Sequence, residues 1–411
     1  MLHPKMAHVY VGIDVHRSTH TATIIDCFFE KLGSITISNT ESGFKKLVTD
    51  IKKHQKDGIT AILGLEDVHA LGRELAVFLI SHGITVKYVN PALSNSERKN
   101  QATFHKTDDF DSLCIARVLL TKLNELPEAK PDDLHWALSE LVAKRSAVLK
   151  ANTALKNQLR TYILHHYPRY TSFFTVFSSN TSLTFWEKYP SPVKLKETRV
   201  EELGEFLRLK TYGVHSIDKA KQIFKTVEED NFKPNEYQEI RDFIVTTTAN
   251  QIKDNLTTID KLDAEIESIL PKFGYKLETM KGISTTFAAG LIAHIGNIDR
   301  FSNASKLAKF AGISPVSYST GKTSKHFSDR KGDKELRHIF FHLAVLVVSN
   351  YAGQRKPHNQ YFFEYYNRKI SEGKTKRQAL KCVMRRLVNI IYRMMKDKSE
   401  YYEKPMQENK S

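Results

Sequence analysis

VYVGIDV, residues 9–15, decides the fold: it is a β-rich run that carries Asp14 near its end. Two further β-rich runs follow, TATIID at 21–26 and SITIS at 34–38. The polar stretches between the runs are short enough for hairpin turns, so the three runs are predicted to be neighbouring antiparallel strands.

Helices and strands are then predicted to alternate up to residue 120. The helical spacing of Phe44, Leu47 and Ile51 predicts a helix, and an apolar run around Leu65 predicts a central strand. A second helix is expected to stop at Gly83, and a further strand at Pro91. The predicted order is βββαβαβα, in which the last five elements are 44–56, 59–67, 71–83, 84–90 and 111–120.

Four carboxylates follow this order. Asp14 ends the first strand, and Glu66 ends the fourth, its expected neighbour, while Asp108 and Asp111 start the last helix and share one face. Oxygen ligands from separate elements suit one or two divalent ions, Mg²⁺ first and Mn²⁺ as the alternative, for phosphoryl transfer. Each acid alone also fits a strand end or a first helical turn. His16, beside Asp14, either tunes the metal site or, as we favour, packs in the turn after the strand.

The composition favours an anionic partner. The 411 residues include 62 Lys and Arg against 46 Asp and Glu, a formal net charge of +16. This balance is typical of proteins that bind nucleic acid, and the length predicts two or three domains.

Three widely separated cysteines, Cys27, Cys114 and Cys382, form neither a disulfide framework nor a zinc spacing. The longest apolar run, IFFHLAVLVV at 339–348, is too short for a membrane span, and Met1 does not begin a signal-peptide pattern. A cytoplasmic protein with no membrane partner is therefore expected.

The pattern changes after PEAKPDD, residues 127–133. Apolar steps of three and four residues run from Leu138 to Tyr162 and from Val245 to Ile269. They predict two long coiled-coil helices, paired within one chain or between subunits. The segment between them, about 168–234, is predicted to be a mostly helical insertion, whose aromatic residues either stack on bases or, as we favour, pack in a core.

The last third begins with a glycine turn in ETMKGIS, residues 278–284, which resembles a helix-hairpin-helix element that presents backbone N–H groups to a phosphate. Close helix packing explains its small residues equally well. Ser317, Ser319, Thr320 and Gly321 then form a predicted hydroxyl-rich turn, suited to a phosphoryl-transfer nucleophile or simply to a solvated loop. Nearby cations are candidate nucleic-acid contacts: Lys322, Lys325, Arg330, Lys331 and Arg337.

Several sequence blocks together resemble the DEDD transposases of the insertion sequence 110 family, which include Piv-type DNA invertases. The blocks are GIDVH (12–16), GLED (64–67), VNPAL (89–93), KTDDFDSLCIA (106–116), KLAKFAGISP (306–315), YSTG (318–321) and KGDKELR (331–337). The resemblance implies an α/β plus α chain. Its parts are an RNase H-like (RuvC-like) catalytic domain at 1–130, coiled-coil helices with the insertion at 131–275, and a mostly helical transposase domain at 276–411.

The resemblance also assigns roles. Asp14, Glu66, Asp108 and Asp111 match the metal ligands of the DEDD motif. The family implies a serine, directly before a glycine, that links covalently to DNA. Here Thr320 precedes Gly321 and Ser319 lies one residue earlier, so either hydroxyl is the nucleophile or this copy is impaired.

The implied partners are donor and target DNA, a guide RNA encoded by the element, and further copies of the chain in a dimer or tetramer. The leading interpretation is a site-specific DNA recombinase. A RuvC-type metal-dependent structure-specific endonuclease, with water as nucleophile, is the alternative. A non-catalytic nucleic-acid binder is the third.

Overall fold

The computed structural model describes most of the chain, in two compact units, Met1–Trp136 and Ala137–Ser411. For residues 315–320 and 323–328 the backbone alone is described. The described residues are 3–56, 58–66, 70–100, 107–129, 131, 133–210, 217–320, 323–328, 332–351, 353–354 and 356–402.

The first unit contains a mixed five-stranded sheet in the order β3-β2-β1-β4-β5. Strand β1 pairs antiparallel with β2, as predicted, and pairs in parallel with β4, its predicted neighbour. The predicted succession of elements is confirmed, with one addition, the helix α3. The elements are β1 His8–Val15, β2 Thr19–Ile25, β3 Lys31–Ser38, α1 Glu41–Lys53, β4 Thr60–Leu65, α2 Arg73–Ser81, β5 Thr85–Tyr88, α3 Pro91–Asn100 and α4 Asp108–Thr121.

Helix α3 begins at Pro91, the residue expected only to end a strand. Proline is favoured in the first turn of a helix, because its missing N–H has no intrahelical partner there. The helix buries only Ser94, so its sequence carries no apolar stripe that would predict it.

Helices cover both faces of the sheet. Helices α1 and α2 pack on one face, where Phe44 and Leu79 contact a core that includes Val11. Helix α4 packs on the other face, where Ile115 lies in a core with Tyr10. Since side chains alternate along a strand, even-numbered residues of β1 face α4.

Gly12 lets α4 approach β1 backbone to backbone. A Cβ atom built on Gly12 would lie 2.1 Å from the Ser112 carbonyl oxygen and 2.2 Å from the Ala116 amide nitrogen. Any side chain at this position would therefore push the helix away from the strand.

The second unit is mostly helical. It contains most of the long helix α5 (Asp133–His166) and a second long helix, α10 (Gln238–Ile269). Arg145 on α5 pairs with Asp263 on α10, and His166 at the end of α5 meets Gln238 at the start of α10. These contacts fix the two helices as antiparallel within one chain.

Between α5 and α10 the described residues form four α-helices: α6 Asn180–Lys188, α7 Pro192–Lys196, α8 Val200–Lys210 and α9 Ile217–Asp230. Phe185, Trp186 and Tyr189 are fully buried. The rings of Phe185 and Trp186 contact Tyr167 and Phe173, and the Tyr189 ring contacts Phe185. These aromatic residues form a core, as favoured from the sequence, and are not exposed for stacking on bases.

The rest of the second unit is a helical group with one hairpin. Helix α15 packs against α12, α13 and α14. None of the helices in the described part of the chain combines the length and apolar character that a membrane span requires. The elements are α11 Thr285–Ile295, α12 Ala304–Phe310, β6 Pro315–Thr320, β7 Thr323–Ser328, α13 Lys334–Val348, α14 Gln360–Ser371 and α15 Lys376–Asp397.

Candidate metal centre

Asp14 and Glu66 lie side by side at the ends of two parallel strands. Residues 8–13 of β1 pair in register with residues 60–65 of β4, so that Gly12 is opposite Gly64. Asp14 therefore lies two residues beyond the contact of Gly12 with α4, on the face that α4 covers. Glu66 immediately follows β4.

His16 joins Asp14 to Asp108. Its Nε2 atom lies 3.1 Å from Asp14 Oδ2 and 3.4 Å from Asp108 Oδ1. One ligand atom from each of these three residues lies within 4.8 Å of the other two, a spacing that suits a metal ion. The expectation that His16 only packs in the turn was wrong, because its half-exposed ring contacts both carboxylates.

Arg98 joins the other two carboxylates. Its guanidinium lies 2.9 Å from Asp111 Oδ1 and 4.0 Å from Glu66 Oε1. The Asp111 side chain is 8% exposed, and its Oδ1 receives no hydrogen bond of good geometry from a described residue. Sequence reasoning missed Arg98 because it lies on α3, the helix that was not predicted.

Burial and mutual repulsion act on the acids. Burial raises the pKa of Asp14, the nearby His16 opposes that shift, and the charges of Asp111 and Asp108 add to it. Burial also raises the pKa of Glu66, against a hydrogen bond with Ser94 and the charge of Arg98. The carboxylates therefore repel one another, and His16 and Arg98 offset only part of their negative charge.

Asp109, between the two acids of α4, faces the sheet instead. Lys31 donates to its Oδ2 at 2.6 Å, Thr23 donates to its Oδ1 at 3.3 Å, and Ser34 also donates to Oδ1. Although burial acts in the opposite direction, these hydrogen bonds hold the pKa of Asp109 below its usual value. Asp109 therefore anchors the first turn of α4 to β2 and β3.

The candidate nucleophiles lie in the second unit. Ser319 and Thr320 belong to β6, paired in register with Ser324 and Thr323 of β7. The prediction that they form a turn was wrong. Polar residues can alternate along a hairpin strand as well as fill a loop, and at the sequence level the two are hard to tell apart.

The candidate nucleic-acid contacts are only partly described. Arg337 lies half-buried on α13. Lys325 lies on β7, opposite Tyr318, with its backbone alone described. Lys322, Arg330 and Lys331 lie outside the described residues, as does Gly321.

Two family models match parts of this chain, and together they include residues of both units. Residues 11–168 match the family model of the DEDD transposases of IS110, and residues 274–361 match the transposase IS116/IS110/IS902 family. The first match includes all four carboxylates, and the second includes Ser319 and Thr320.

Several relatives match this chain almost end to end, among them the following three. The 44.8 kDa protein of insertion element IS116 from Streptomyces clavuligerus is 23% identical, covering 97% of each chain. The pilin gene-inverting protein of Moraxella lacunata is 25% identical, over 95% of this chain and 97% of its own. The 42 kDa protein of insertion element IS900 from Mycobacterium paratuberculosis is 23% identical, over 96% and 97%.

The sheet with its acidic cluster, followed by a mostly helical unit, is thus the framework of a transposase, an enzyme class that rearranges DNA. Within this class, the chain belongs to the IS110 family.

Proposed function

We propose that this transposase cuts and rejoins DNA by metal-assisted phosphoryl transfer, in an RNase H-like domain whose ligands are Asp14, Glu66, Asp108 and Asp111. The observation that carries the proposal is the convergence of Asp14, His16 and Asp108 within 4.8 Å, beside two further carboxylates. Glu66 and Asp111 belong to the same cluster, because the charge of Asp111 raises the pKa of Asp14, the charge of Asp14 raises the pKa of Glu66, and Arg98 contacts both Glu66 and Asp111.

The residues fit a divalent cation. Among the described residues, none forms a well-aligned hydrogen bond with the buried Asp111 Oδ1, and burial together with like charges raises the pKa of Asp14 and Glu66. Carboxylate oxygens are the donors that Mg²⁺ and Mn²⁺ prefer. Bound there, such an ion would stabilise charge on the scissile phosphate and favour ionisation of the nucleophile.

The chain's own residues prepare this site. His16 orients the carboxylates of Asp14 and Asp108, and Asp109 fixes the start of α4, so that Asp108 and Asp111 stay in place. Arg98 offsets part of the negative charge on Glu66 and Asp111.

The hydroxyl of Ser319 or Thr320 is the proposed nucleophile. Its oxygen bonds to the scissile phosphorus as the bond from phosphorus to a DNA 3′ oxygen breaks. The hydroxyl loses its proton, and the released 3′ oxygen gains one. Attack of the 3′ oxygen of a second strand then reverses the step and frees the hydroxyl.

The family resemblance extends the proposal to partners. The carboxylates and the hydroxyls belong to separate units, so we propose that they come from different copies of the chain in a dimer or tetramer. A guide RNA encoded by the element pairs with donor and target DNA. The net charge of +16 supports binding to both nucleic acids.

The test is to incubate the protein with labelled DNA of an element end and Mg²⁺, then separate covalent protein–DNA adducts under denaturing conditions. Any co-purified RNA is sequenced. We compare the wild type with Asp14→Asn, Ser319→Ala and Thr320→Ala, and with Ser317→Ala as a matched hydroxyl control on β6.

The proposal requires an adduct that disappears in Asp14→Asn and in one of the two hydroxyl variants, and persists in Ser317→Ala. Cutting without an adduct, undiminished in a double Ser319→Ala/Thr320→Ala variant, would favour the endonuclease. The presence of all four carboxylates in the first unit alone is what supports this second function.

A further inference from the structure

The second unit contains a cavity of about 410 Å³ between the turn before α11 and the segment that joins α13 to α14. This volume falls within the range of small-ligand sites, about 300–1,000 Å³. Most of its lining side chains carry hydrogen-bond donors, and the described lining includes no carboxylate. The lining side chains with donors are Lys281, Tyr351, Gln354, Lys356, His358 and Gln360.

One wall of the cavity is the glycine turn before α11. Gly282 has a φ of +98°, a left-handed conformation that disfavours a side chain. Lys281 precedes it and is exposed, and Ser284 caps α11 by accepting a hydrogen bond from the Phe287 N–H group. This is the turn whose sequence resembles a helix-hairpin-helix element.

The other wall is the segment between α13 and α14, which folds back on itself. The Tyr351 N–H group donates to the Lys356 carbonyl oxygen at 3.0 Å, and Asn350 and Pro357 form a β-bridge. The rings of Tyr351 and His358 lie 3.9 Å apart. These contacts hold Tyr351, Lys356 and His358 together on this wall.

The two lysines of the cavity are available for a ligand. Lys281 and Lys356 form no ion pair with any other described residue. Lysines that lack an acidic partner favour an anionic ligand. The amide, imidazole and phenol groups beside them favour a ligand that also presents a flat surface for stacking.

A basic aromatic stripe continues from the cavity along α14. Tyr361, directly after Gln360, shares a helix face with Tyr365 and Arg368. The guanidinium of Arg386 on α15 lies 5.3 Å from the Tyr361 ring and 4.6 Å from the Tyr365 ring. At 1.5 Å per residue the stripe is about 10 Å long, a span that covers more than one nucleotide.

We propose that this cavity binds a phosphodiester group of a nucleic-acid strand with its nucleotide, and that the stripe follows the strand onward. Lys281 and Lys356 contact the phosphate from opposite walls. Arg386 and the two tyrosines of α14 contact the neighbouring nucleotides by charge and stacking. Duplex DNA and structured RNA offer the same phosphate chemistry, so the experiment distinguishes them.

The experiment measures binding by fluorescence anisotropy over a range of salt concentrations, in EDTA, with element-end duplex DNA and with structured RNA. Lys281→Gln/Lys356→Gln is compared with the charge-preserving Lys281→Arg/Lys356→Arg. Lys261→Gln, an exposed lysine on α10, is the matched control. Because EDTA excludes divalent metal, the result is independent of the proposed phosphoryl transfer.

For each phosphate that the protein no longer neutralises, the slope of log K against log salt is expected to fall by about 0.9 on duplex DNA and about 0.7 on a single strand. The glutamine pair should lower it for DNA, RNA or both, which identifies the strand bound. The arginine pair and Lys261→Gln should leave it unchanged. Single glutamine variants, with a smaller expected fall, serve if the double variant does not fold.

The proposal is overturned if the glutamine pair leaves the slope unchanged on both nucleic acids. A fall of the same size in Lys261→Gln would overturn it too, because the effect would then report total charge and not this cavity.

Discussion

Replacing Gly12 by alanine should separate the acidic residues of α4 from Asp14. The added Cβ would lie 2.1 Å from the Ser112 carbonyl oxygen, whereas carbon and carbonyl oxygen in contact lie about 3.3 Å apart. Helix α4 must therefore move by about 1 Å. Asp108 and Asp111 move with it, while Asp14 stays on β1.

Two effects follow from this displacement. Overpacking of this kind lowers the free energy of unfolding by about 1–3 kcal/mol. A misplacement of about 1 Å in a catalytic site costs about 10²-fold in rate. Urea denaturation measures the first effect, and cutting of element-end DNA at saturating Mg²⁺, at a temperature where the variant is folded, measures the second.

Gly64→Ala is the matched control, since Gly64 pairs with Gly12 across the sheet. Its Cβ would meet side chains, Val89 at 3.0 Å and Leu119 at 3.4 Å, which can shift by a few tenths of an ångström. We expect a change within about 1 kcal/mol and near-normal activity. Wild-type stability and activity in Gly12→Ala, or equally reduced values in Gly64→Ala, would refute the reasoning.

Three further perturbations test the charges of the two units. Arg98→Met removes the cation beside Glu66 and Asp111, so calorimetry should find Mg²⁺ bound about fivefold more tightly, about 1 kcal/mol; unchanged affinity would contradict a competing role. Asp333→Ala removes the N-cap of α13 and its contact with His294, and should lower the free energy of unfolding by about 1 kcal/mol at pH 7. Although burial acts in the opposite direction, those hydrogen bonds lower the pKa of Asp333, so its contribution is present above about pH 4 and is lost as pH falls through the lowered folded value. Urea denaturation at pH 7 and below pH 4 measures this, and a pH-independent difference would argue against it. Alanine at Arg145, at Asp263 and at both should give a coupling energy of about 0.2–1 kcal/mol in a double-mutant cycle, and strict additivity would contradict a contribution from this ion pair.

Local periodicity predicts the strands of the first unit and the two neighbours of β1. The strands of the first unit carry alternating or continuous apolar residues, and a strand that ends in an acid places that acid at a known edge of the sheet. The sequence therefore predicts Asp14 and Glu66 at neighbouring strand ends, and the register of β1 with β4 agrees with this. Asp108 and Asp111 are three residues apart, so helix geometry likewise predicts that they share one face of α4.

The contacts that complete the site depend on tertiary structure. PALSNSERKN, residues 91–100, lacks an apolar stripe. Its sequence pattern therefore predicts neither helix α3 nor the contacts of Arg98 with two carboxylates. The chain reverses between β1 and β2, and this reversal turns His16 towards Asp108, about ninety residues away in sequence. Asp109 shows the same limit, because only the folded sheet brings Lys31 beside it.

The antiparallel arrangement of α5 and α10 has a consequence for how this chain can be shortened or extended. His166 and Gln238 meet with their side-chain nitrogens 3.2 Å apart, so the segment between them leaves and re-enters the helix pair at a single point. That point lies about 30 Å along α5 from the Arg145–Asp263 ion pair. The aromatic core of this segment also contains Leu159 and Ile163 of α5 and Val245 and Ile252 of α10, so the segment packs as one unit with the ends of the two helices. Replacing the segment by a short turn would keep the point of closure but would expose these four apolar side chains to water.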